Sequence, residues 1–222
     1  MKRQVSLEEI SDGRLYGLND MVRADCQDCQ GCSACCHGMG SSIILDPYDI
    51  FRMTLGLDCA AAQLLQEEKL ELNVVDGMIL PNLKLQGEKE ACVFLNREGR
   101  CSIHAFRPGI CRLFPLGRYY ENHSFRYFLQ IHECKKKDRT KVKVARWIDT
   151  PGPLRYDRYI CDWHYFLEDA AERLQGEPEE EVRSGNLYVL KLFYLRPYNG
   201  EEDFYSQFYD RLEQAKEVLF ES

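Results

Sequence analysis

A chain of 222 residues can bury a core without covalent staples, and its 45% apolar and 29% charged residues are ordinary for a globular protein. The net charge of −7 argues against a dedicated nucleic-acid binder. The N-terminus lacks the apolar run of a secretory signal, and no stretch approaches the ~20 apolar residues of a membrane helix, so a cytoplasmic protein is expected, with neither nucleic acid nor membrane as partner.

Residues 1–25 read as a lead-in with one helical turn. The stretch that follows carries Gly31, Gly38 and Gly40 and reads as a loop. Asp46 offers a helix N-cap with Pro47 at the first helical position, and Ile50, Phe51 and Leu55 supply the apolar face. Asp58 is expected to cap a second helix through about Glu68. Residues 72–80 read as a β-hairpin turning at Asp76-Gly77, and residues 92–104 as another around Arg97-Glu98-Gly99. Residues 107–114 predict a short helix, with Pro108 in its first turn, and residues 125–131 a strand. Val142, Ala145 and Ile148 have helical spacing, continued by Tyr156, Tyr159, Ile160, Trp163 and Phe166. Two further helices are expected over about 181–195 and 202–220, with Tyr188, Phe193, Tyr194, Phe204, Tyr205, Phe208 and Tyr209 as packing residues.

The eleven cysteines carry the chemistry. In a reducing compartment clustered cysteines serve as metal ligands or catalytic thiols rather than disulfides, and an odd total suits disulfides poorly. The first burst reads Cys26-Gln-Asp-Cys29-Gln-Gly-Cys32-Ser-Ala-Cys35-Cys36-His37; Cys92, Cys101 and Cys111 follow, then Cys134. Cys29/Cys32 and Cys32/Cys35 each make a zinc knuckle, which Cys101 with Cys111, or Cys92 with Cys134, would complete. Equally, Cys26, Cys29, Cys32 and Cys36 have the ferredoxin spacing of a [4Fe–4S] site, with His37 in place of its proline. Both registers stay open. The adjacent pair Cys35-Cys36 diverges too much for one small ion, which favours a polynuclear cluster or two sites sharing the loop.

Arg97, Arg100, Arg107, Arg112 and Arg118 flank the downstream thiols and are expected to offset thiolate charge, Arg107 or Arg112 above all. His37, His104 and His132 stand near cysteines, though a lone histidine is more often structural. Cys59 and Cys161 read as buried free thiols on helix faces; Cys26 is open between ligand and core thiol. The basic run over residues 135–143 reads as a solvated face.

Cys29-Gln-Gly-Cys32-Ser-Ala-Cys35-Cys36, followed by Ile44-Leu-Asp46-Pro-Tyr-Asp49-Ile, resembles the opening of the YkgJ-type cysteine-cluster proteins, to which zinc or iron chelation is ascribed. Cys92-Val-Phe-Leu95, Gly99-Arg-Cys101-Ser-Ile-His104 and Arg107-Pro108-Gly-Ile-Cys111-Arg-Leu-Phe-Pro115 are similar to that family's second block, and Cys134 fits its last cysteine. The resemblance spans about residues 26–150 and implies a metal or cluster held by eight cysteines, Cys29, Cys32, Cys35, Cys36, Cys92, Cys101, Cys111 and Cys134. The family is similar to part of flagellin lysine N-methylases, which implies protein modification as one role. Against it, no methyl-donor Gly-rich loop follows a strand, and the radical spacing Cys-x3-Cys-x2-Cys begun by Cys32 and Cys36 breaks at Met39.

The expected architecture is α+β: small hairpins and short helices around a cysteine-rich metal site over residues 26–150, and a mostly helical extension over 151–222 packed on it. An iron–sulfur cluster, [4Fe–4S], is favoured over zinc on thiolate number and the adjacent pair. A lysine methylase-like enzyme using the cluster, with a protein substrate, and a structural zinc module presenting its helices to a protein partner are the alternatives.

Overall fold

The computed structural model describes residues 6–27 and 32–221; Cys29 lies outside them. Ser6 caps a single helical turn, α1 (Leu7–Ile10), and the chain then enters β1 (Ser11–Tyr16) and β2 (Met21–Asp25). The stretch read as a lead-in thus contributes two strands. Val22 and Ala24 are buried between exposed neighbours, the period-two signal of a half-buried strand. The described end of the first cysteine burst is a loop tightened into a 3-10 turn at Ala34–Cys36.

α2 (Pro47–Leu57) begins as its sequence indicates, with Asp46 and Asp49 forming a reciprocal capping box around Pro47. Asp58 departs from expectation. It ends α2 in the left-handed region (φ 51°), its N–H donating to the Thr54 carbonyl. α3 (Ala61–Gln66) instead starts from Ala60 with no side-chain cap. Aspartate is one of the few residues that enters the left-handed region readily, so closing one helix outcompetes opening the next.

β3 (Leu70–Val75) and β4 (Met78–Leu83) form the first hairpin, turning through Asp76 and Gly77 at φ 48° and 89°. Two consecutive left-handed residues make the turn whose twist matches a hairpin. β5 (Leu85–Gln86) pairs with β6 (Ala91–Cys92). The expected second hairpin shrinks to one bridge, Leu95 to Cys101, closed by the Asn96 N–H on the Arg100 carbonyl at 2.8 Å. α4 (Gly109–Leu113) is the short helix of the second block; Pro108 precedes it as N-cap rather than lying in its first turn.

β7 (Leu116–Glu121), β8 (Ser124–Gln130) and β9 (Thr140–Lys143) follow, then α5 (Val144–Trp147). The helical spacing around Val142 is overridden because Val142 pairs with Val22 of β2. The remaining helices are α6 (Pro153–Leu174), α7 (Glu179–Leu190), which runs on into a π-helical turn at Lys191–Leu195, and α8 (Phe204–Phe220). Among the described residues all the strand pairs are antiparallel, in one three-stranded sheet of order β1-β8-β7 and three two-stranded ones. The fold is α+β with a helical C-terminal part. No helix among the described residues is long and apolar enough to cross a membrane.

Two apolar cores result. The smaller lies between β1-β8-β7, β2-β9 and α5, around Val22, Leu116, Tyr127 and Val144. The larger joins α2, α3 and the β3-β4 hairpin to α6, α7 and α8. Residues 43–103 and 156–219 therefore share one interior. Its centre is aromatic: Trp163 lies 4.8 Å from Phe193, and Tyr159 4.6 Å from Phe208, between ring centroids. Asn186 of α7, 3% exposed, pins the hairpin by accepting the Ile79 N–H at 2.6 Å and donating to the Gly77 carbonyl at 3.3 Å.

Phe208 has no exposed surface, whereas Leu154 is 78% exposed. Phe208→Ala is expected to cost about 3–5 kcal/mol in denaturant unfolding, and Leu154→Ala less than about 0.5 kcal/mol. Similar losses from both would place the core elsewhere.

Candidate metal centre

No disulfide joins the described cysteines. The fold sorts them into two gatherings. Around the first, Cys26, Cys32, Cys35 and Cys134 line one cavity of about 10 Å³. The second comprises Cys92, Cys101 and Cys111, with Cys35 close enough to act on Cys111 electrostatically.

Local structure explains the second gathering. β6 ends on Cys92, the Leu95–Cys101 bridge brings Cys101 back beside it, and α4 carries Cys111. The bridge from His37 to Ala91 and the Gly38 N–H donating to the Glu90 carbonyl at 3.1 Å lash the first burst to β6. Cys36, at the end of its 3-10 turn, is thereby held next to this block in chain terms.

Burial raises the Cys92 thiol, the Phe94 N–H on its sulfur pulls it down, and Cys101 pushes it up again. Burial likewise raises Cys101, opposed by the Ile103 N–H and by Arg107 and Arg100. Each sulfur thus accepts an amide two residues on, a donor that favours the thiolate. Cys111 is pushed well above the ordinary range by burial first, then by Cys92, Asp49, Cys35 and Cys101. Thiols raised in this way stay protonated and neutral, and a bound cation would deprotonate them.

The arginines divide. Arg100 and Arg107 act on Cys101 as expected. Arg112 does not serve the thiols. It is 3% exposed, donates to Thr150 Oγ1 at 2.9 Å, and stands 4.0 Å from Asp49. Arg118 lies over the Phe125 and Tyr156 rings. Arg107 also donates to His104 Nε2, which occupies that nitrogen. His37 donates from Nδ1 to the Ser33 carbonyl at 2.9 Å.

Cys59 and Cys161 are only partly buried, and Cys59 lies between α2 and α3 rather than on a helix. The Cys161 thiol donates to the His123 carbonyl at 3.2 Å.

Among the described residues no three His, Cys, Asp or Glu side chains stand in the geometry of a closed metal site. The donor set nevertheless fits zinc or iron in kind: soft thiols from separated segments, converging in two places, with amide and guanidinium donors beside them. When such thiols close on an ion, binding energy becomes folding energy.

The residue that positions Cys111 is Asp49, which the sequence shows only as part of the family's opening motif. Asp49 is 1% exposed and accepts the Gly109 N–H at 2.6 Å, fixing the start of α4 against α2. Burial and the Asp46 carboxylate raise its pKa, and Arg112 opposes them. A side chain on Gly109 would meet the Tyr156 hydroxyl at 2.3 Å, so only glycine lets α4 come this close. Asp49→Ala leaves Arg112 buried without its carboxylate and is expected to cost about 3–5 kcal/mol in chemical denaturation. Asp49→Asn keeps an acceptor for Gly109 and is expected to cost clearly less. Equal losses would show that the Gly109 contact contributes nothing.

The model of the CxxCxxCC family, described as a "putative zinc- or iron-chelating domain", matches residues 28–143. No curated protein and no solved structure matches the chain. The matched span is more than half of the 222 residues and takes in both cysteine gatherings except Cys26. The chain belongs to the CxxCxxCC family of zinc- or iron-chelating cysteine-cluster domains.

Proposed function

We propose that this chain holds zinc as single ions, through thiolates drawn from Cys29, Cys32, Cys35, Cys36, Cys92, Cys101, Cys111 and Cys134. The observation that carries the reading is the gathering of Cys92, Cys101 and Cys111 from separate segments, with Cys35 near Cys111. A divalent ion would deprotonate thiols gathered in this way and be held by them in common.

The placement of the thiols supports single ions. The division into two gatherings also answers the adjacent Cys35-Cys36 pair, because neighbouring side chains that diverge can serve different sites. Four protein thiolates per ion leave no open position, the pattern of sites that hold structure together.

The [4Fe–4S] reading is supported by the number of thiolates and by the ferredoxin spacing of Cys26, Cys29, Cys32 and Cys36. Anaerobic purification followed by metal and sulfide analysis separates the two. The expected protein is colourless and zinc-loaded. A brown protein with acid-labile sulfide and absorbance near ~400 nm installs the cluster instead. Within the zinc reading, Cys101→Ser and Cys111→Ser should each lower bound zinc by about half, while Cys59→Ser and Cys161→Ser leave it unchanged. Uniform loss across the four variants would remove the assignment of ligands.

A further inference from the structure

The metal reading makes no use of the basic run over residues 135–143. It holds Lys135, Lys136, Lys137, Arg139, Lys141 and Lys143 against Asp138 alone, in a chain whose net charge is −7. Its last four residues form β9, which pairs with β2 on one side; among the described residues no strand pairs with the other side. From these observations we infer that the open edge of β9 is a docking site for an acidic, extended segment of a partner protein. The segment adds a strand to the β2–β9 ribbon and sets its carboxylates against Lys141 and Lys143.

Strand alternation fixes which charges face outward. Val22 and Ala24 of β2 and Val142 of β9 turn inward onto the smaller core. Arg23, Lys141 and Lys143 lie on the opposite face and are exposed. Arg23 and Lys141 stand next to the Val22–Val142 pair, so like charges neighbour one another across the ribbon. Such neighbours weaken a two-stranded sheet. Asp25 is the one carboxylate of the two strands, and it accepts from Thr140 Oγ1 at 3.2 Å and from the Gln27 N–H at 2.9 Å. Among the described residues no carboxylate forms an ion pair with Arg23, Lys135, Lys137, Lys141 or Lys143. The fold leaves this row of cations uncompensated.

The chemistry of the edge selects its occupant. A second copy of β9 is repelled, because Lys141 and Lys143 would meet their own counterparts. β2, β9 and residues 134–139 contain no aromatic ring, so single-stranded nucleic acid finds nothing to stack on, and the net charge of −7 repels a long polyanion. A short acidic strand meets both demands. Its backbone fills the open hydrogen-bonding edge, and carboxylates two residues apart match Lys141 and Lys143, which on a strand are spaced by about 7 Å.

The test uses the full chain and a short labelled peptide of alternating glutamate and valine, followed by fluorescence anisotropy at low salt. The peptide is expected to bind, more weakly as ionic strength rises. Lys141→Glu/Lys143→Glu, with its metal content checked as a sign of folding, is expected to weaken binding about tenfold or more. The same loss is expected for a peptide with glutamine in place of glutamate, and for one N-methylated at alternate residues, which keeps its charge but cannot pair along an edge. If the double variant fails to fold, Lys141→Gln at its exposed site decides. Absence of binding by the glutamate peptide, or equal binding by a folded variant, overturns the inference. An N-methylated peptide that binds as well as its parent overturns strand addition. A uridine oligonucleotide of equal charge that binds more tightly than the peptide gives the row to nucleic acid, and self-association in light scattering that charge reversal abolishes gives it to a second copy; either result overturns the inference. None of these measurements reads wild-type metal content, so each leaves the chelation reading where it stands.

Discussion

The hydrogen bond from the Gly109 amide to Asp49, 2.6 Å long and out of solvent, is the constraint on which the second cysteine block depends. Asp49 also accepts the Asp46 N–H at 3.2 Å and lies 4.0 Å from the Arg112 guanidinium. One carboxylate thus closes the first turn of α2, anchors the first turn of α4 and balances a buried cation. Burying a carboxylate is unfavourable unless its lone pairs are filled; here two backbone amides donate to it, and a guanidinium lies 4.0 Å away. Because α4 is only five residues long, it has little stability of its own and takes its place from this anchor.

The same short helix sits at the seam between the two cores. Leu113 belongs to the smaller core, while Ile110 and Cys111 pack against the larger. Cys111 is therefore held where the sheets formed by the N-terminal strands meet the helical C-terminal part. The segments that bear the other cysteines are poor in regular structure, and backbone bridges such as His37 to Ala91 hold them. Loops near a metal site need such cross-links, since few apolar contacts restrain them before the ion does.

Charge distribution follows from this arrangement. Arg112 is adjacent to Cys111 in sequence yet turns to Asp49 and Thr150, whereas Arg107, four residues away, acts on Cys101. Successive side chains on a helix leave it in different directions, so sequence proximity to a thiol does not make an arginine its partner. The Arg112 guanidinium also lies 5.5 Å from the centre of the Tyr156 ring of α6, so it ties the cysteine block to the C-terminal helices.

The sequence by itself determined the features set by neighbours in the chain. The Asp46–Pro47 start of α2, the left-handed Asp76-Gly77 turn and the cysteine knuckle spacings are local, and local sterics and hydrogen bonding suffice to specify them. The cysteine motifs also carried the family resemblance that the match over residues 28–143 bears out. Tertiary structure decided what depends on distant partners. Val142 became a strand because Val22 offered it a ladder, and the two strands of residues 11–25 exist because β8 and β9 complete them. Asp58 capped the helix behind it rather than the one ahead, a choice between two local options that packing made. Cys26, which spacing left ambiguous, was brought beside Cys134 by the β2–β9 register. Hydrogen-bond ladders and burial act across more than 100 residues here, and no window of sequence contains both ends of them.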